Sequence, residues 1–289
     1  MKISFSGATT LLILFLFIAI ATPAQDLTAE QIIAKHVESI GPKDKLDAVK
    51  NQLIFCDATF TFKGAVVTLN GKALVLSEGQ KNLFGMNFNS NDYPVDRFGF
   101  DGKDVKVGRP TTGSSHSLIG DFLYNNRSIL KEGIFGGTLS ASWPLLASER
   151  KAKISVEGKK TMDGKNLIGL SYVPKSAADV TIKLYFDETT FRHVRTEYTV
   201  VRPASIGTGG VDSSARQSST TYRVYEDFSD FTKMGALTLP KNYKITYIRS
   251  GSDPVTIRQH LNRDAEWKFT VTNINFNQAL EPGSFSIDG

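Results

Sequence analysis

The chain is poor in cysteine: Cys56 is the single one among 289 residues. No intrachain disulfide can form, which excludes a disulfide-stapled secreted scaffold and fits a periplasm-type space. Cys56 sits in the apolar-rich stretch Ile54–Phe62, where core packing is the expected role. Long apolar runs are also scarce. After residue 21 no stretch is long and apolar enough to cross a bilayer as a helix. A strong charge of one sign is missing as well. The net charge is +5 and the charges are scattered, so nucleic acid is not an expected partner. A hydrophobic content of 40% with 22% charged residues excludes disorder as the main state.

The N-terminus holds the one continuous apolar segment. Lys2 precedes Leu11–Ala21, and small residues at Thr22 and Ala24 follow. Positive charge, apolar run and small-residue site together predict a secretory signal over residues 1–24, with the mature chain beginning near Gln25. The run is about half the roughly 20 residues that a spanning helix needs. No cysteine stands at the cut site, so lipidation is not expected, and the predicted compartment is the periplasm.

Residues 25–289 read as one domain, with no internal repeat and no linker. Thr28 with Gln31 forms a capping-box pattern, and Ile32, Ile33, His36, Val37 and Ile40 recur at helical spacing until Gly41-Pro42. A second short helix is expected over Lys43–Lys50. From Asn51 the period becomes two: Ile54, Cys56, Ala58, Phe60 and Phe62 share one face of a strand. Val66–Ser77 reads as a hairpin bent at Asn70-Gly71. Asp101-Gly102 divides Phe98–Phe100 from Val105–Val107, and Asp163-Gly164 divides Ile154–Val156 from Leu167–Val173. Val180–Phe186 turns at Asp187-Glu188 and returns as Phe191–Val201. Tyr222–Tyr225, Tyr243–Ile248 and Trp267–Phe276 follow. Two regions break this rhythm. Ser115–Glu132 reads as one or two inserted helices, continued by a glycine-rich apolar flap over Gly133–Leu146. Arg202–Thr220 reads as a long polar loop or lid. The fold class expected is α+β, mainly antiparallel β: a half-open, incomplete β-barrel with helices covering its concave face.

No catalytic constellation is legible in the sequence. His36, His116, His193 and His260 are far apart, without metal-type partners at short spacing. There is no G-x-S-x-G and no P-loop. Ser128-x-x-Lys131 and Ser148-x-x-Lys151 match a serine acyl-enzyme pattern, but no K-T-G accompanies them. Asp101 with Asp104, and Asp227 with Asp230, stand near turns, where capping is their expected work. The reading is therefore of a protein that is not an enzyme, with no cofactor and no metal.

What is abundant is aromatic: 19 Phe and 9 Tyr, against 2 Trp and 4 Met. Many fall on one face of a strand. A sheet so patterned, curled over amphipathic helices, either packs a plain core or encloses an apolar cavity. An acyl chain buried there gains about 0.8 kcal/mol per CH₂. The predicted lining is Phe60, Phe62, Ile182, Leu184, Phe186, Val194 and Tyr198. The alternative is an envelope interaction or scaffold protein whose concave face is filled by its own side chains.

Several segments resemble the periplasmic lipoprotein-carrier and lipoprotein-sorting family, LolA/LolB-like. They are the first helix and strand from Leu27; the hairpins from Ile154, with Tyr185, Phe186, Asp187, Arg192 and Arg195; the segment with Phe228, Gly235, Leu239 and Pro240; and the closing FTVTNINFNQALEPGSF. The resemblance implies a half-open antiparallel barrel with a helical lid over a cavity for lipid or lipoprotein acyl chains. It also implies inner- and outer-membrane transport partners, and a basic residue near the cavity mouth. Arg97, Arg109 and Arg127 lie in the middle region, and no motif selects one of them. That region and the 202–220 loop depart from the compact carriers. The missing lipobox fits the soluble carrier rather than the outer-membrane receptor.

Overall fold

The computed structural model describes residues 27–63, 67–91, 93, 95–108, 116–140, 151–175, 179–203, 219–251 and 264–287. The expected signal segment lies outside them, as do most of the 202–220 loop and residues 141–146 of the expected flap.

Helix α1 (Ala29–Ile40) opens with the capping box: Thr28 accepts from the Gln31 amide, and Gln31 reaches back to the Thr28 amide. It buries Ala29, Ile32, His36 and Ile40. Helix α2 (Lys43–Asp47) is shorter than expected. It packs Leu46 with Ile40, Leu237 and Leu239 in a small apolar cluster of its own.

The strands are β1 (Asn51–Phe62), β2 (Val67–Glu78), β3 (Lys81–Phe88), β4 (Asp96–Phe100), β5 (Val105–Val107), β6 (Lys153–Met162), β7 (Lys165–Val173), β8 (Val180–Asp187), β9 (His193–Arg202), β10 (Thr220–Met234), β11 (Leu237–Ser250) and β12 (Ala265–Phe276). They form one antiparallel sheet in the order β5-β4-β3-β2-β1-β12-β11-β10-β9-β8-β7-β6. The chain ends meet where β1 pairs with β12. The sheet does not close, because β5 and β6 are edges. Edge strand β6 carries Lys153, Lys159 and Lys160 and a bulge between Val156 and Gly158, features that discourage pairing with another chain.

The expected hairpin at Asn70-Gly71 is corrected. β2 runs straight through it, and the turn comes at Gly79-Gln80, leading into β3, a strand the periodicity did not reveal. Gly71 serves a close approach instead. A Cβ there would lie 2.1 Å from the Asn87 carbonyl oxygen on β3. Asp163-Gly164, by contrast, is a turn with both residues at positive φ, 51° and 74°, joining β6 to β7 as expected. Pro240 is tolerated inside β11 because the ladder to β12 begins only at Asn242.

Between β5 and β6 lies the insert. α3 (Leu118–Asn125), capped by Ser117, is followed by α4 (Ser128–Lys131) and a 3₁₀ turn (Gly137–Leu139). The glycine-rich segment is corrected from an exposed flap to a buried one: all of Gly133–Ser140 is buried. Its apolar side chains Ile134, Phe135 and Leu139 have no other surface on which to hide, and they join the main core.

Candidate functional site

The concave face is built by strand alternation. On β8, Ile182, Leu184 and Phe186 point inward. On β9 the inward set includes Thr196, Tyr198 and Val200, on β10 Val224, Glu226 and Phe228, and on β11 Tyr243, Ile245 and Tyr247. α1 and the insert cover these residues, and together they form one continuous apolar core. Five of the predicted lining residues meet there: Phe60, Ile182, Leu184, Phe186 and Tyr198 are buried. Phe62 is half-buried against the same core. Val194 is the extra residue of a bulge opposite Tyr185 and Phe186, and it stands outside that core.

Aromatic rings run across the face. Phe186, His193, Phe228, Tyr243 and Phe269 follow one another at centroid distances of 5.0 to 5.2 Å. At the β1 side, Phe60 contacts Phe88, Tyr93 and Trp267. The two faces of the Gly136-Gly137 turn press against these rings. A Cβ on Gly136 would lie 2.4 Å from Phe84, and one on Gly137 would lie 2.7 Å from Phe228.

Polar residues tie the insert to the sheet. Glu226 accepts from the Gly136 amide at 2.7 Å, the Tyr198 hydroxyl at 2.6 Å and the Tyr243 hydroxyl at 2.5 Å. The Tyr172 hydroxyl donates to Glu132 at 2.7 Å. Gln52 donates to the Leu139 carbonyl at 2.7 Å, and Asn82 to the Leu130 carbonyl at 2.9 Å. Asp96 accepts from the Ser117 hydroxyl and, at 2.9 Å, from Tyr93, which in turn accepts from the Trp267 indole. The set is incomplete: buried Asn82 Oδ1, Asp96 Oδ1 and Thr138 Oγ1 find no hydrogen-bond partner among the described residues.

Burial dominates the electrostatics. It pushes Glu226 up to about 7, against the pull of its tyrosine and amide donors. Asp96 is raised for the same reason. Burial lowers His36 to about 4 and His193 well below its ordinary value, so both are neutral at pH 7. His36 Nδ1 donates to the Phe191 carbonyl. Cys56 is buried and pushed up to about 12 by desolvation and the neighbouring Asp57, which leaves it an unreactive thiol.

Periodicity missed Gln52, Asn82, Asp96 and Glu226 as ties. The signal was present in each strand: every one occupies an inward position of an otherwise apolar alternation, as Glu226 does between Val224 and Phe228. Asp227 and Arg195 belong to the outer face, where Arg195 Nε donates to Asp227 at 2.5 Å and Lys244 lies 3.2 Å away. Asp101 caps its turn by accepting from the Lys103 and Asp104 amides. Arg97 and Arg127 are exposed on the outside of the molecule, and Arg109 lies outside the described residues. Among the described residues no group of three or more His, Cys, Asp or Glu is placed to hold a metal ion.

The overall fold is similar to that of a solved structure. A LolA superfamily protein from Nitrosomonas europaea superposes with a TM-score of 0.50 at 11% identity, covering 91% of this chain and 99% of that one. The fold is LolA-like. A putative outer membrane lipoprotein-sorting protein domain from Vibrio parahaemolyticus matches with a TM-score of 0.44 at 11% identity, over 88% of this chain and 97% of its own. A DUF1329 family protein from Desulfovibrio piger matches with a TM-score of 0.45 at 12% identity, over 89% of this chain and 97% of its own. No family model and no curated sequence matches the chain. The LolA-like fold places the expected half-open sheet and its covering helices in this protein.

Proposed function

We propose that this protein is a non-enzymatic carrier of the cell envelope. It binds the acyl chains of a lipid or lipoprotein on the concave face of its LolA-like sheet and moves them toward the outer membrane. The observation that carries the reading is the insert. An apolar, aromatic face is covered by the protein's own residues 117–140, held by a few hydrogen bonds with the buried polar atoms Asn82 Oδ1, Asp96 Oδ1 and Thr138 Oγ1 left unsatisfied among the described residues. Such a cover can be exchanged for a ligand of equal apolarity. A chain of about a dozen carbons supplies on the order of 9 kcal/mol of transfer free energy, which offsets the exposure of the insert and the cost of binding.

Export by the N-terminal segment places the carrier in the periplasm, where inner- and outer-membrane transport proteins would load and unload it. The test is mass spectrometry of organic extracts from protein purified out of its own envelope without detergent. Stoichiometric lipid or acylated protein is expected, and an empty extract would count against the carrier. One observation favours a second reading: Ile182, Leu184, Phe186 and Tyr198 are wholly covered, as in a filled-core interaction protein. That reading predicts an empty extract and a Tm unchanged by delipidation.

A further inference from the structure

The antiparallel ladders bring a defined set of strand ends to one rim of the half-barrel. They are the end of β1 with Lys63, the start of β2 at Val67, the end of β11 at Arg249, and the start of β10 near Tyr222. The ends of β9 at Val201-Arg202 and of β7 at Val173, and the start of β6 at Lys153, complete the arc. Six large apolar side chains stand well exposed among the described residues, and three lie on this arc: Val67 at 42%, Val173 at 51% and Val201 at 55%. A fourth, Tyr124 at 43%, is on α3, whose Asp121 and Asn125 share a cleft with Arg202 and Tyr222 at the same rim. Of the other two, Val156 lies three residues inside the same rim on β6, and Phe55 lies in β1 toward the opposite end.

Cations accompany them. Arg202 and Arg249 lie over the Tyr222 ring at 5.5 and 5.6 Å, and Arg127 lies over Tyr124 at 4.6 Å. Lys63, Lys153 and Lys175 are exposed beside the valines. Among the described residues four carboxylates, Asp121, Asp179, Asp264 and Glu266, stand in the same region, against the six cations Lys63, Arg127, Lys153, Lys175, Arg202 and Arg249. At the opposite end lysines meet carboxylates in pairs, such as Lys43–Asp47 at 2.6 Å and Lys81–Glu78 at 3.0 Å.

From this asymmetry we infer that the rim is the surface by which the protein docks on an anionic lipid bilayer. Aliphatic and tyrosine side chains suit the boundary between headgroups and acyl chains, and flanking Lys and Arg are drawn to the negative surface potential. The apolar side chains are strung along an arc rather than gathered in one patch. That spacing suits a deformable, diffuse anionic surface better than the packed apolar centre of a protein interface. Docking does not require cargo, so the inference stands apart from the carrier reading.

The test is flotation of the delipidated mature chain, from Gln25 on, with phosphatidylcholine vesicles, with and without phosphatidylglycerol. The expected result is flotation only with phosphatidylglycerol, weakened by salt. Arg202→Glu/Arg249→Glu should weaken it by at least about tenfold. Val173→Glu/Val201→Glu, which alters only exposed side chains, should also weaken it, while the control pair Lys43→Glu/Lys45→Glu at the other end should not. Circular dichroism and Tm establish that each variant is folded. Absence of flotation by the unaltered protein, flotation of both rim variants equal to that of the unaltered protein, or release by soluble glycerol phosphate would overturn the inference.

Discussion

The two ends of the half-barrel are built on different terms. At one end α2 seals the sheet: Ile40, Leu46, Leu237 and Leu239 pack together, and the surface charges form pairs. At the other end valines remain in water beside cations. Exposed ion pairs such as those at the sealed end contribute about 0–1 kcal/mol each, so the seal itself rests on apolar packing. The exposed valines of the open rim have little packing to lose, and their side chains can serve contact with another surface. Between the ends lies the covered concave face, where titratable groups are buried and tied.

Substitutions should separate these regions by the size of their effect on stability. The largest belongs to the concave face. Leu184→Glu places a carboxylate in a wholly buried, mainly apolar setting and should cost at least about 4 kcal/mol in denaturant unfolding, or prevent folding. Leu184→Ala, at about 2–5 kcal/mol, is the variant with which to test ligand uptake. A loss near zero would mean that the face opens readily. At the sealed end, Leu237→Ala should cost about 2–3 kcal/mol and leave vesicle binding untouched.

The buried titrating groups act in opposite directions. Glu226 is raised from 4.5 to about 7, so the native state holds its proton longer than the unfolded chain. Its contribution is full below pH 4.5 and is lost as pH rises through about 7, on the order of 3 kcal/mol. His36 is lowered from 6.5 to about 4, so the stability it brings is present above pH 6.5 and lost as pH falls toward 4. Between about 4.5 and 6.5 the falling slope of Glu226 opposes the rising slopes of His36 and of His193, which burial lowers as well. Glu226→Gln removes the first, and stability measured by urea titration should then rise from pH 4 to 6.5 and stay level to pH 8. A profile still falling between pH 5 and 7 would remove Glu226 as the source. The smallest stability effect is at the open rim: Val201→Glu should change unfolding free energy by less than about 0.5 kcal/mol.

Much of this arrangement was legible in the sequence, for identifiable reasons. The capping box at Thr28, the alternation of Ile54 to Phe62 and the positive-φ turn at Asp163-Gly164 each depend on neighbours in the chain. What the sequence concealed depends on distant partners. Asn70-Gly71 has the composition of a turn, yet β3 approaches Gly71 so closely that the glycine is needed within a strand. Gly133–Ser140 has the composition of a mobile flap, but its apolar residues are drawn onto a sheet built from residues far along the chain. The inward residues of β8 and β9 were found by alternation, whereas the bulge at Val194 broke the count by one residue. Glu226 stood in plain view at an inward position, and the tyrosines that receive it come from β9 and β11.

The most direct test of the central claim is titration of a delipidated Trp143→Phe variant with a fluorescent polyene fatty acid, read by energy transfer from buried Trp267, then the one tryptophan. The account predicts saturable uptake near one chain per protein, with energy transfer showing that the chain lies against the concave face. A folded protein that shows no saturable transfer at any concentration of the fatty acid would contradict it.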